Sequence, residues 1–313
     1  MPRRIDPAAA GTDADAVPRT LLLEGRRVAV AAPDPGLYVV ATPIGNLGDV
    51  TLRALKILAG ADLIACEDTR ITRRLTAHYG IAAPLVAYHD HNAEKVRPTL
   101  LERLAQGESL ALVSDAGTPL VSDPGFRLVA EAIAQGHAVT AAPGASAAII
   151  ALILSGLPSD RFFFEGFLPA KSAARRRRIA ALKDVPGTLL FFESPRRLAA
   201  SLADLVSVLG PRRAAVAREM TKRFEETRRG TLDTLAADYA AMPPPKGEIV
   251  IVVAPPGAAE APDEADVDAL LAELLANLSV RDAAAAAAER TGLARKHLYG
   301  RALKLAGASG RRR

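Results

Sequence analysis

The stretch SDAGTPLVSDPG, residues 114–125, lies between an apolar run at 110–114 and a helical pattern that begins near Phe126. Two Asp, two Gly, two Pro and three hydroxyls exceed what a connection needs, since about two to six residues usually join a strand to a helix. In open α/β sheets ligands sit beyond the carboxyl ends of the strands, so the stretch reads as a ligand loop. Asp115 and nearby carbonyls suit a cationic or hydroxyl-bearing small molecule. Asp123, just before Pro124, suits a turn cap instead.

Two more loops read the same way. Residues 41–49, ATPIGNLGD, form a Pro- and Gly-containing turn between a strand and a helix N-terminus, where small residues such as Gly45 let a ligand approach the backbone. They do not spell G-x-G-x-x-G, which argues against an ordinary dinucleotide fold. Residues 142–147, APGASA, lead into an apolar helix, and Ser146 serves equally as its cap or as a ligand contact. All three loops follow expected strands, so they can converge on one cleft.

Around these loops, short apolar runs at 38–41, 62–66, 85–88, 110–114 and 138–141 alternate with helical periodicity, as in a parallel sheet with crossover helices. Asp49 is placed to cap a helix whose apolar face is Val50, Leu52, Leu55 and Leu58, closed by Gly60. Asp68 is placed to cap a second helix ending at Gly80. A second unit carries apolar runs at 162–164, 188–192, 214–217 and 249–253. The expected organisation is a flexible extension at 1–36, an α/β lobe at 37–157, a second α/β lobe at 158–255 and a basic helical tail at 263–313. In the tail, helices are expected at 267–278, 280–290 and 294–305, with a helix-turn-helix look, a capping box from Ser279 and Asp282, and Gly292 as a stop.

Composition narrows the classes. The chain has 313 residues, 50% of apolar type, only 4% aromatic and no Trp, so it builds a large aliphatic core rather than a disordered chain. Its single cysteine, Cys66, excludes an internal disulfide or a Cys-based zinc site and fits a reducing cytoplasm. No apolar run follows Arg3 and Arg4, and the longest apolar stretch, 145–157, is shorter than the roughly 20 residues a membrane span needs. A net charge of +5 allows a polyanionic partner without requiring one.

Eight ordered motifs resemble the tetrapyrrole-methylase-like family of S-adenosylmethionine-dependent methyltransferases: TPIGNLGD at 42–49, EDTR at 67–70, YHDHN at 88–92, SDAGTPLVSDPG at 114–125, PGASA at 143–147, EGFLP at 165–169, FESPRR at 192–197 and REMTKRFEE at 218–226. The N-terminal extension has no counterpart, and Met220 and Phe224 vary the last motif without removing its charges. The resemblance implies two α/β lobes with the methyl donor in the cleft between them, a homodimer, and Pro43, Gly45, Asp115, Ala116, Gly117 and Ser146 as donor-pocket positions. It further implies, as acceptor, a cytidine 2'-hydroxyl of small-subunit ribosomal RNA, free or in the assembled subunit.

A base would assist removal of the hydroxyl proton. Candidates at strand ends are Glu67, His89 and Glu193, with Asp68 and Glu219 beside them, and the pattern singles out none. His89 and His91 flank Asp90, yet no further ligand cluster accompanies them, so no metal is expected. RNA demands positive surface. The candidates are Arg70, Lys171, Arg175, Arg176, Arg177, Arg178, Arg196, Arg197 and Lys222, joined by the basic tail, which carries eight Lys or Arg after Glu289 and no acid. Phe167, Tyr88 and Phe192 are candidates for stacking on a base, each equally suited to the core. Two other readings keep parts of this picture: a small-molecule (tetrapyrrole or diphthine) methyltransferase of the same fold, and a non-catalytic RNA-binding assembly protein. The Arg175–Arg178 run argues against the first.

Overall fold

A computed structural model describes residues 19–121, 125–257, 264–276, 278–291 and 295–309. The expectations placed on residues 1–18, on Asp123, on Gly292 and on Arg311 to Arg313 lie outside these residues. Within them the extension is not flexible to residue 36. Strands β1 (Thr20–Leu23) and β2 (Arg26–Ala29) form an antiparallel hairpin. Leu21 is buried in the first-lobe core and Leu22 N–H donates to the Tyr79 carbonyl at 2.6 Å. The short apolar patch of residues 21–23 is therefore a packing element, which its surroundings of Ala, Pro and Asp concealed.

The first lobe is a parallel sheet of β3 (Gly36–Val40), β4 (Leu63–Cys66), β5 (Leu85–Ala87), β6 (Ser109–Val113) and β7 (Val139–Ala142) in the order β5-β4-β6-β3-β7. Its strands are apolar on both sides. Ile64 and Cys66 face one core beneath α1 (Leu52–Gly60) and α2 (Thr69–His78), whereas Leu63 and Ala65 face another beneath α3 (Ala93–Ala105) and α4 (Phe126–Ala134). The expected cap at Asp49 is corrected. Leu47–Asp49 is a 3-10 turn, Val50 is extended, and Thr51 caps α1 by accepting from the Ala54 N–H at 3.1 Å. Asp68 does cap α2, accepting from the Arg70 N–H at 2.8 Å.

Helix α5 (Ala147–Ser155) leaves β7 and packs on the second lobe. That lobe is a mixed sheet of β8 (Phe162–Phe167), β9 (Thr188–Glu193), β10 (Arg213–Arg218), β11 (Glu226–Thr231) and β12 (Ile249–Val253) in the order β11-β10-β12-β9-β8, parallel between β8 and β9 and antiparallel elsewhere. Ile249, Ile251 and Val253 face the core under α6 (Ser172–Ala181), α7 (Leu198–Leu209) and α8 (Leu232–Ala240). The intervening Val250 and Val252 join Leu190, Ala215 and Ala217 against Ala148, Ala151 and Leu152 of α5, so one apolar layer binds the two lobes together. Edge strand β11, ETRRGT, went unread because its polar alternation carries no apolar run.

Helices α9 (Glu264–Leu275), α10 (Val280–Thr291) and α11 (Arg295–Ser309) enclose a separate small core of Val267, Leu271, Leu298 and several alanines, tied by an Arg301–Asp268 ion pair. Ser279 and Asp282 pair as the sequence suggested, with the Asp282 N–H donating to Ser279 Oγ at 3.2 Å. Among the described residues no helix is long and apolar enough to cross a membrane.

Candidate functional site

Strands β6, β3 and β7 are neighbours and all parallel, so the three loops suspected from sequence leave the same edge of the sheet side by side. They are bonded to one another. Thr42 N–H donates to the Gly117 carbonyl at 2.9 Å and Gly117 N–H returns a bond to the Thr42 carbonyl at 3.1 Å. Thr118 Oγ1 then donates to the Ala145 carbonyl at 3.1 Å, joining the second loop to the third. Gly117 adopts φ +80°, and a Cβ there would come within 3.2 Å of Ile44 Cγ2, so glycine is what lets the first two loops approach.

Beyond this seam lies a cavity of about 320 Å³ between the lobes. The first lobe contributes Ile44, Glu67, Asp115, Gly117 and Ser146, and the second contributes Phe167, Phe192, Met220, Glu248 and Val250. Asp115 Oδ1 accepts from the Asp68 N–H at 2.9 Å. Burial pushes the Asp115 carboxyl above its ordinary range, and the neighbouring Asp68 charge adds to this. Ser146 occupies the cap position of α5 but makes no capping bond, which leaves its hydroxyl to the cavity. A largely apolar wall that also carries the carboxyl groups of Glu67, Asp115, Glu193 and Glu248 suits an organic cation. The residues present therefore fit the sulfonium donor that the motifs implied.

Several expected site residues are placed elsewhere. Pro43 and Gly45 do not line the cavity, where their loop is represented by Ile44. Gly45 instead receives the stem of Lys222 from the second lobe, and a Cβ at 45 would fall 2.3 Å from Lys222 Cγ. Lys222 Nζ is held within the second lobe by Glu219 at 2.8 Å and Glu248 at 3.2 Å, so its charge is paired while its stem lies against the first lobe. Glu219 and Thr221 sit at φ +50° and +65°, a strained turn that presents Met220 to the cavity.

Of the base candidates, His89 lies outside the cavity and its Nδ1 is buried without a hydrogen-bond partner. Glu193 lines the cavity, yet its oxygens are taken by the Ser194 N–H, the Ser201 hydroxyl and Arg197. Asp68 is held down to about 2 by the side-chain hydrogen bonds of Arg70. For Glu219, burial raises the carboxyl, but bonds from Lys222 and the Glu248 N–H outweigh it and leave it below its ordinary range. Glu67, just beyond β4, lines the cavity as Glu193 does. Among the described residues no group of three His, Cys, Asp or Glu side chains is placed to hold a metal ion.

The arginine run divides by helical phase. Arg175 is 4% exposed, ion-paired with Asp204 at 2.7 Å and bonded to the Ala170 carbonyl, so its expected RNA role is corrected to a structural one. Arg178 pairs with Glu165 through two bonds of 2.5 and 2.6 Å. Arg197 donates to the Leu168 carbonyl. Lys171, Arg176, Arg177 and Arg196 are exposed, as is Arg70, which turns back on Asp68. Sequence reading missed Ile44, Met220, Glu248 and Val250 because apolar or edge residues carry no chemical signature; their nearness in the sheet order was the usable signal.

Residues 36–236 match the family described as Tetrapyrrole (Corrin/Porphyrin) Methylases, and residues 261–306 match the RsmI C-terminal HTH domain. The chain is 56% identical over 278 residues to "Ribosomal RNA small subunit methyltransferase I" of Mesorhizobium japonicum, covering 88% of this chain and 94% of that protein. It is 49% identical over 276 residues to the protein of the same name from Escherichia coli O157:H7, covering 87% and 96%. In fold it is similar to diphthine synthase (17% identity, 70% of this chain and 89% of that one, TM-score 0.55) and to the methyltransferase CobJ (21% identity, 71% and 95%, TM-score 0.53).

Proposed function

Given that the chain belongs to the tetrapyrrole (corrin/porphyrin) methylase family, whose methyl donor is S-adenosylmethionine, we propose that it methylates a cytidine 2'-hydroxyl of small-subunit ribosomal RNA. The observation that carries the reading is the bonded seam of three loops beneath an interlobe cavity with Asp115 on its wall. The names of the relatives support the RNA acceptor, and so do the exposed cations Arg70, Lys171, Arg176, Arg177 and Arg196. The enzyme works in the cytoplasm, in line with a single buried thiol, Cys66. It acts as a homodimer, a state that sedimentation would measure.

Asp115, Gly117 and Ser146 would hold the donor, with Ile44 and Ala147 against its apolar parts. Bound there, the donor would supply an electrophilic methyl for the acceptor oxygen, with a neutral thioether as the leaving group. The protein's part is alignment of acceptor and methyl, which can supply roughly 7 to 11 kcal/mol, and exclusion of water by the paired lobes. Glu67 takes the hydroxyl proton at its carboxylate. Glu67→Gln lowers kcat by about 100-fold or more with donor affinity retained; an unchanged kcat removes Glu67 from the reaction.

The test supplies labelled donor together with assembled small subunits, naked small-subunit RNA or a tetrapyrrole. Label in RNA supports the reading. Label only in the tetrapyrrole, or none in any acceptor, overturns it.

A further inference from the structure

We infer that Phe167 is the platform on which the acceptor nucleobase stacks, turned into the cleft by a β-bulge; this rests on the RNA acceptor proposed above. Strands β8 and β9 pair in step from Phe162 opposite Thr188 to Phe164 opposite Leu190. The register then slips. Gly166 stands opposite Phe191 and Phe167 opposite Phe192, leaving Glu165 as the extra residue and Gly166 at φ +75°. Side chains alternate between faces, so a slip of one residue transfers every later side chain to the other face. In step, Phe167 would share the face of Leu189 and Phe191, which is filled by the helices α6 to α8. With the bulge it shares the face of Phe192 and lines the cavity.

The bulge is held on both sides. Glu165, the inserted residue, takes both bonds from Arg178. Beyond Phe167, Arg197 Nη2 donates to the Leu168 carbonyl at 2.5 Å and reaches the Pro169 carbonyl at 3.4 Å, with Glu193 buried beside it. Phe192 meets the Phe167 ring edge-on at 5.6 Å and 64°, and Phe164 backs Phe192 at 4.9 Å. Yet Phe167 as a residue remains 57% exposed.

Core packing does not account for a large ring fixed this firmly with most of its surface open. Tyr88, by contrast, is 1% exposed in the first-lobe core. An aromatic face in an open cleft takes a splayed base by stacking. Phe167 comes from the lobe opposite the loops that bear Asp115 and Gly117, so a base stacked on it enters the cavity from the other side. The EGFLP and FESPRR motifs thus make one device, with Arg178, Arg197 and Glu193 as positioning residues.

The chain contains no tryptophan, so Phe167→Trp introduces a unique fluorophore at the platform. Phe167→Ala should lower kcat/KM for small-subunit RNA roughly 5- to 150-fold, the loss expected for one base–aromatic stack, with donor affinity by calorimetry and melting temperature unchanged. Phe167→Trp should restore most of that loss, and its emission should be quenched by acceptor RNA but not by donor alone. Wild-type kcat/KM in Phe167→Ala would overturn the inference, as would a parallel loss of donor affinity, which assigns the ring to the donor. If the wild-type protein transfers no methyl to RNA, it is the acceptor proposal that fails.

Discussion

Asp115 shows how one side chain carries both structure and chemistry. Its carboxylate holds the Asp68 N–H and so orients the capped start of α2, while its burial works against its own charge. A carboxyl raised above its ordinary value binds a proton more tightly in the folded chain than in the unfolded one. Ionised Asp115 therefore costs stability at neutral pH, and the cost fades as pH falls toward its raised value. Donor affinity runs the other way, because a sulfonium prefers the ionised form. Asp115→Asn keeps a hydrogen-bond acceptor but no charge, and should weaken donor binding roughly tenfold or more, about 1.4 kcal/mol, without lowering the melting temperature. Calorimetry as pH is lowered from neutrality toward the raised value of Asp115 should show wild-type affinity falling more steeply than the variant's; equal slopes would remove Asp115 from the donor site. That Asp115, Gly117 and Ser146 share one cavity wall was legible because their loops follow strands of one parallel sheet. Gly45 has a packing reason for its smallness that the sequence could not show, since a Cβ there would meet the Lys222 stem.

At the scale of elements, helix α6 sorts four consecutive arginines into distinct environments, which the sequence could only treat as one run. Arg175 turns inward to Asp204, with their side chains 5% and 13% exposed, whereas Arg176 and Arg177 face outward. Arg175→Ala leaves Asp204 without its partner and should destabilise the fold by about 3 kcal/mol, read by urea unfolding. Replacing Arg176 and Arg177 by Gln should leave stability unchanged, weaken RNA binding and flatten its salt dependence, the slope falling by about one for each phosphate no longer neutralised. An unaltered slope would make these two residues plain solvated surface. The hairpin of β1 and β2 makes the complementary point. Four residues of TLLL gave too short a signal to outweigh the Ala- and Pro-rich sequence before them, yet Leu21 is 1% exposed. Leu21→Ala should cost about 2 to 4 kcal/mol, measured by thermal unfolding; a flexible extension would show no change.

Across the whole molecule, the strand order does what no single motif states. Placing β4, β6, β3 and β7 next to one another gathers Glu67, Asp115, Ile44 and Ser146 at one sheet edge, from positions that span residues 44 to 146. The parallel strands were legible as apolar runs, since strands buried on both faces read that way. In the second sheet β8, β9, β10 and β12 were legible in the same way, whereas β11 was not, because it is a polar edge strand paired to β10. Nor could sequence show that α5 joins the lobes through Ala148, Ala151 and Leu152, since an apolar helix does not declare which sheet it covers. That shared layer joins the two lobes whose residues line the cavity.

The measurement that reaches this claim most directly is mass spectrometry of nucleosides from small-subunit RNA after reaction with donor and protein. The expected product is 2'-O-methylcytidine at a single site, formed by the wild-type chain and diminished with Asp115→Asn when donor is limiting. A methyl group on a base, or undiminished product from the variant, would contradict it.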